Sequence, residues 1–488
     1  MRSRRFRFSV SLQVSLALAG LAAPLGAAAP DFEDASREAV EMLQEYLRID
    51  TTNPPGRERL AAEFLKEIFD QEGIENQIYG LGHERANILA RLPGNGRGRP
   101  ILLLNHMDVV PAEAERWSVP PFAGDIRDGY IWGRGATDMK GTAICQLMTL
   151  VLLKRSGAVL DRDVIFLGTA DEEEGKENGV AEMVERHRAD LRDAEYCLTE
   201  GNTIAVENGR MVSWDVDVTE KAPLWLKVAA TGKAGHASIP EPDGAVARLI
   251  RALGRVLDYE PPLRLIPAVD AYFRRIAPTA RGELAKALAN PAAAILDPAL
   301  RKVLVEDPAR NADLRTTISI TGLTGSDKIN VIPGEATGSL DCRLLPGEDP
   351  QRFLATLKGV AGDDTLRWEV LLSETATESP IDTALFHAIE RARDRFAPGV
   401  PVLTPPLTSS TDAGKLRQMG VVVYGFEPFA LSDDDDRSHG DDERLSVDNV
   451  RFGLEVTYAI VSDVAGARPP EGGAGPSEPG GRRRLREK

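Results

Sequence analysis

Four short apolar runs in this chain each lead into an acidic residue or a histidine. Residues 101–104 run into Asn105-His106-Met107-Asp108, residues 164–167 precede Asp171-Glu172-Glu173, residues 196–198 precede Glu200, and residues 421–426 precede a loop carrying His439. Runs of this length and content read as strands buried on both faces. Helical patterns alternate with them: two amphipathic stretches between Asp34 and Glu72, a segment from Met139 to Arg155 closed by Gly157, and another over 384–396. This alternation predicts an α/β fold with a largely parallel sheet. In such sheets functional groups collect at the carboxyl ends of strands, so residues distant in sequence can converge there.

Taken singly, these groups say little. One His-x-Asp pair or one acidic triplet is ordinarily a polar turn, and Asp138 suits the N-cap of the helix that begins at Met139. Recurrence after several strands is what sets them apart. Two imidazoles, His106 and His439, and three carboxylates, Asp138, Glu173 and Glu200, one of them bridging, make a donor set for a pair of borderline divalent ions. Zinc is the expected metal, and cobalt or manganese tolerate the same donors. The chain therefore reads as a metal-dependent hydrolase. The competing class is a catalytically silent protein that binds peptide or metal on the same scaffold.

The first 29 residues join Arg2, Arg4, Arg5 and Arg7 to an apolar run and then Ala27-Ala28-Ala29, the pattern of a cleavable export signal. Ser3-Arg4-Arg5 also has a faint twin-arginine character. The expected location is secreted or periplasmic, with no membrane attachment after cleavage; the alternative, an uncleaved membrane anchor, is disfavoured by Ser9, Ser11, Gln13 and Ser15 within the run. Formal charge is -16, and removing four arginines with the signal takes the remainder to about -20. So acidic a surface argues against nucleic acid or anionic membrane as partner. Cys145, Cys197 and Cys342 lie within apolar patterns, and their odd number and spacing give no disulfide framework, so they read as buried thiols.

Between signal and tail the length suits about two domains. A catalytic domain is expected over 30–221 and again over 380–465, interrupted at 222–379 by an α+β insertion. There strand patterns at 224–230, 316–323, 337–343 and 365–372 alternate more strictly, with helices at 245–256 and 350–360. A Pro- and Ala-rich helical stretch between Tyr259 and Ala312 elaborates that insertion. Residues 466–488 form a Pro/Gly-rich basic tail without apolar periodicity, expected to be disordered.

The block from Trp117 to Gly141, W-S-V-P-P-F-A-G-D-I-R-D-G-Y-I-W-G-R-G-A-T-D-M-K-G, resembles the co-catalytic-metal exopeptidase and aminoacylase family. That family includes glutamate carboxypeptidase, succinyl-diaminopimelate desuccinylase, acetylornithine deacetylase, aminoacylase and carboxypeptidase S. The likeness spans about 34–463, and the S-H-G-D-D-E-R-L-S block from Ser438 is most similar to the carboxypeptidase S and secreted N-acyl-amino-acid hydrolase branch. It implies a zinc-exopeptidase-like catalytic domain with an inserted lid that also forms a homodimer. It implies further that His106, Glu200 and Asp138 hold one metal, and Glu173, His439 and the same Asp138 the second. Asp108 would orient His106, and Glu172 would be the general base, the register of D-E-E-E-G being set by Gly175. His236, in G-K-A-G-H-A-S-I-P, would steady the oxyanion, often in a neighbouring subunit. Asn330 and Arg343 would bind substrate, Arg343 through a free carboxylate. The implied substrates are small peptides or N-acyl amino acids. Ser410-Thr411-Asp412-Ala413 departs from the family's Gly/Asn-Thr-Asp pattern, and Asp433 to Asp436 read as a solvated acidic loop.

Overall fold

Strand 101–106 is apolar on both sides because it lies inside a sheet covered on both faces. A computed structural model describes residues 30–174, 179–191, 193–408, 410–432 and 434–469. The export signal, Gly175, Asp433 and the tail beyond residue 469 lie outside the described residues. The main sheet has six strands in the order Glu75–Gly80, Ala86–Leu92, Val164–Thr169, Ile101–His106, Tyr196–Thr199, Val422–Gly425. The last four run parallel and the first two are antiparallel additions at one edge. The expected largely parallel α/β sheet is present.

Side chains alternate with period two between the two buried faces of the strands Ile101–His106 and Val164–Thr169. Ile101, Leu103, Val164 and Phe166 join one apolar core, and Leu102, Leu104, Ile165 and Leu167 join another. Complete burial of each such side chain contributes roughly 2 kcal/mol. On the first face lies the helix Lys140–Arg155, buried at nearly every position and therefore without a polar stripe. The helices Phe32–Leu47 and Val447–Val464 pack over it. On the second face Val180, Met183 and Leu416 complete the core.

A four-stranded antiparallel sheet, in the order Thr317–Thr324, Glu335–Leu344, Ala222–Thr231, Arg367–Ser373, carries the helices Ala245–Leu257 and Pro350–Ala361 on one face around a core of its own. Five short helices between Pro267 and Leu314 enclose a further cluster centred on Phe273 and Leu304. Pro opens four of them at the first helical position, where a missing N–H costs nothing.

Three features differ from the sequence expectation. The strand Glu75–Gly80 buries only Tyr79, so it lacked an apolar signature. The helix Val447–Val464 was not anticipated; Ser446 caps it by accepting from the Asn449 amide. The tail expected from residue 466 is packed through Arg468, which pairs with Val159 and forms a double ion pair with Asp161. All three cysteines are buried thiols. Among the described residues no helix is long and apolar enough to cross a membrane.

Candidate metal centre and active site

Three neighbouring parallel strands deliver most of the site at their carboxyl ends. His106 is the last residue of its strand, Glu172 and Glu173 follow Val164–Thr169, and Glu200 follows Tyr196–Thr199. Asp138 stands in the turn before the helix Lys140–Arg155, and His439 in the loop between the short strands Ala430–Leu431 and Arg444–Ser446. His106 Nε2 lies 3.0 Å from Asp138 Oδ1 and 3.3 Å from Glu200 Oε2. His439 Nε2 lies 3.0 Å from both Asp138 Oδ2 and Glu173 Oε2. Two triads thus share Asp138, one oxygen turned to each.

The donor set fits two metal ions. Ligand atoms about 2.1 Å from one tetrahedral ion stand about 3.4 Å apart, close to the separations observed. Glu173 Oε1 is buried without a hydrogen-bond partner, a vacant lone pair that a cation would satisfy. His106 Nδ1 donates to the Asp108 carbonyl at 3.0 Å, so Nε2, facing Asp138 and Glu200, is the nitrogen that would bind a cation in place of its proton.

Charge crowding is severe. Burial drives the Glu172 carboxyl well above the usual carboxylate range, and Glu200 beside it pushes the same way. Burial raises Glu200 to about 7 against the pull of His106. Hydrogen bonds that the ring donates to Asp138 and Glu173 raise His439 to about 10. Burial would lower His106, but Glu200's charge and bonds to Asp108 and Asp138 outweigh it and hold the ring well above its usual value. Asp138, facing both rings, is held below the usual range although burial opposes this. An excess of carboxylates leaning on two histidines is what a cation pair would neutralise.

Asp108 is fully buried, and its carboxylate stands 3.6 Å from His106 Nδ1, farther than its own carbonyl. That carboxylate accepts from the amides of Glu172 and Glu173, at 3.2 and 3.1 Å. Its contact with the chain is therefore as much with the Glu172 turn as with the histidine. His439 adopts a positive φ of 61° and is more than half exposed. Strain of that kind persists where surrounding contacts fix it.

Residues the sequence reading did not single out complete the frame. Glu443 is fully buried and accepts from the amides of Gly135, Thr137 and Asp138, the Thr137 hydroxyl and the Arg134 guanidinium. It ties the loop of His439 to the loop of Asp138, and its place in the S-H-G-D-D-E block was the available signal. Glu427, raised well above its usual range by burial and by Asp138 and Glu200, accepts from Thr142. Asp412, raised by burial, is paired with Lys415, which also reaches Glu374.

The remaining expected residues lie on the four-stranded sheet and its ribbon. His236 and Asn330 flank a two-stranded pairing of Gly235-His236 with Val331-Ile332, both exposed. His236 Nδ1 bonds the Ser238 hydroxyl at 2.7 Å, and the Asn330 carbonyl accepts from the Ala237 amide. Neither belongs to the two triads. Arg343 is engaged bidentately by Asp341, at 2.9 and 3.1 Å, so a substrate carboxylate must compete with Asp341 or use the remaining nitrogen.

The profile of Peptidase family M20/M25/M40 matches residues 102–463. The N-fatty-acyl-amino acid synthase/hydrolase PM20D1 of Xenopus tropicalis is 29% identical over 462 residues, covering 90% of this chain and 88% of that protein. The probable carboxypeptidase S-like 2 of Dictyostelium discoideum is 28% identical over 375 residues, covering 75% and 72%. Among solved structures, the M20 family metallo-carboxypeptidase Sso-CP2 of Sulfolobus solfataricus aligns with a TM-score of 0.67 at 18% identity, over 88% of this chain and 99% of that one.

Proposed function

Because the chain belongs to peptidase family M20/M25/M40, we propose that it hydrolyses the amide bond of N-acyl amino acids or short peptides next to a residue bearing a free carboxylate. The observation that carries this reading is the pair of triads sharing Asp138 with Glu172 alongside. In this reading His106, Glu200 and Asp138 hold one ion, and Glu173, His439 and Asp138 the other. Zinc suits the mixed nitrogen and oxygen donors. Bound there, two such ions supply a Lewis acid for the amide carbonyl and lower the pKa of the attacking water.

The chain's own contribution is proton handling and positioning. Glu172 takes a proton from the attacking water and returns it to the leaving nitrogen. Asp108 fixes Glu172 through its amide and fixes His106 through the carbonyl on Nδ1. Arg343 receives the substrate carboxylate by exchanging it for Asp341. The test is a panel of N-acyl amino acids and dipeptides against their carboxyl-amidated forms. Acids should be cleaved at least about 10-fold better in kcat/KM, as expected for loss of a charged hydrogen bond. Equal cleavage of the amidated forms would remove Arg343 from substrate binding.

We also infer a homodimer through the four-stranded sheet. Its edge strand Thr317–Thr324 pairs on one side only, and beside it the exposed Ile250, Leu323, Ile329 and Val331 line a groove of about 670 Å³. An apolar patch with an adjoining free strand edge suits a second copy of the same chain. His236 sits next to this groove, consistent with service in the partner's site. Light scattering at micromolar concentration should give a dimer, and a Leu323→Asp, Ile329→Asp variant a monomer with much reduced turnover. A monomeric native protein with full activity would refute the dimer and the His236 role together.

A further inference from the structure

Asn53 lies in the turn after the first helix, far in sequence from every residue of the proposed site, and is 2% exposed. Its amide nitrogen donates to Asp108 Oδ2 at 2.8 Å and to Asp171 Oδ1 at 2.9 Å, and its carbonyl accepts from Arg85 Nη2 at 2.6 Å. With two carboxylates on one side and a guanidinium on the other, only one orientation of the amide satisfies all three partners. An aspartate here would set a third carboxylate against two others. Arg85 in turn ion-pairs with Asp171.

Asp171 is buried and has a φ of 67°, in the left-handed region that side chains enter only when held. It directly precedes Glu172 and Glu173. Its conformation therefore sets the direction in which the chain leaves the strand Val164–Thr169 and where both glutamates point. The amides of those glutamates are received by Asp108, which Asn53 also grips. Asn53 thus joins the two structures that fix the Glu172 turn, the carboxylate below it and the strained residue before it.

We propose that Asn53, backed by Arg85, is a positioning residue for Glu172: it holds Asp171 in the left-handed conformation and Asp108 under the following amides, so that the Glu172 carboxyl stays aimed at the reaction centre. This rests on the reading of Glu172 as general base. Nothing in the arrangement makes Asn53 touch substrate or metal.

The test is a double-mutant cycle on the purified full chain with its metals, assayed on the best N-acyl amino acid of the panel. Asn53→Ala should lower kcat about 30-fold, in the range of removing a partner that orients an active group. KM should stay within about 2-fold and metal content should stay native, by the same argument. In a Glu172→Gln background the same substitution should cost less than about 2-fold, because a residue acting through Glu172 has nothing left to position. Arg85→Gln, at a less buried position, should repeat the pattern more weakly and serves if Asn53→Ala does not fold. An equal loss in both backgrounds, or no loss in the native one, would overturn the positioning role while leaving the base intact. Full turnover by Glu172→Gln alone would overturn the base and this inference with it.

Discussion

Replacing Glu172 by glutamine is expected to lower kcat by about 10²–10⁴-fold, the range that loss of a general base produces. Both metals should stay bound. Glutamine keeps the size of the side chain and removes only its ability to accept and return a proton. Glu172 belongs to neither triad, so metal content measured after dialysis should match the native protein. Stability should hold or rise, because the substitution removes a buried carboxyl crowded by Glu200, Asp412 and Glu173. Steady-state kinetics, elemental analysis and a thermal melt on one preparation check all three. Native turnover would mean that the proton is handled elsewhere; loss of metal would mean that Glu172 and Glu173 exchange roles.

Asp138→Ala should have the broadest effect of any single change at the site. Asp138 gives one oxygen to the triad of His106 and the other to the triad of His439. Without it each ion keeps only two of its three protein donors, and affinity at both positions should fall by at least about 100-fold, more than the loss of an outer partner costs. The dialysed variant should hold less than one ion per chain and show no activity above background. The histidines would report the change independently. The pKa of His439, held at about 10 first by Asp138 and then by Glu173, should fall in the metal-free variant relative to the metal-free native protein, by NMR titration. Retention of two ions per chain would exclude a bridging Asp138.

Much of the site was legible because its residues follow strands whose apolar content could not be mistaken. His106, Glu173 and Glu200 each sit just beyond such a run, and parallel neighbours bring those ends side by side. Asp138 stands before a helix and His439 gives no signal in isolation, so their division between two ions, with Asp138 bridging, came only through the resemblance. Asn53 and Arg85 were not read at all, and Glu443 only as part of the S-H-G-D-D-E block. Each acts through hydrogen bonds to partners 30 or more positions away, and pairing at that distance leaves no periodicity in the chain. The strand Glu75–Gly80 escaped notice for a related reason: as an edge strand it buries one side chain and borrows its stability from Ala86–Leu92. The helix Val447–Val464 buries residues over much of its circumference against other helices, which blurs the stripe that marks a surface helix.

The five donors gathered by Glu443 have a consequence for how the protein comes to be made. Gly135, Thr137 and Asp138 are synthesised first, whereas the carboxylate that receives their amides and the imidazole of His439 emerge about 300 residues later. A ribosome must therefore add about 300 further residues before the bridging aspartate is clamped and its second histidine arrives. Until then the nascent polypeptide has His106 and Glu200 but no finished pair of triads. Chains cut short before Glu443 should accordingly be poor metal binders however well their sheet has formed, which keeps an unfinished hydrolase inactive.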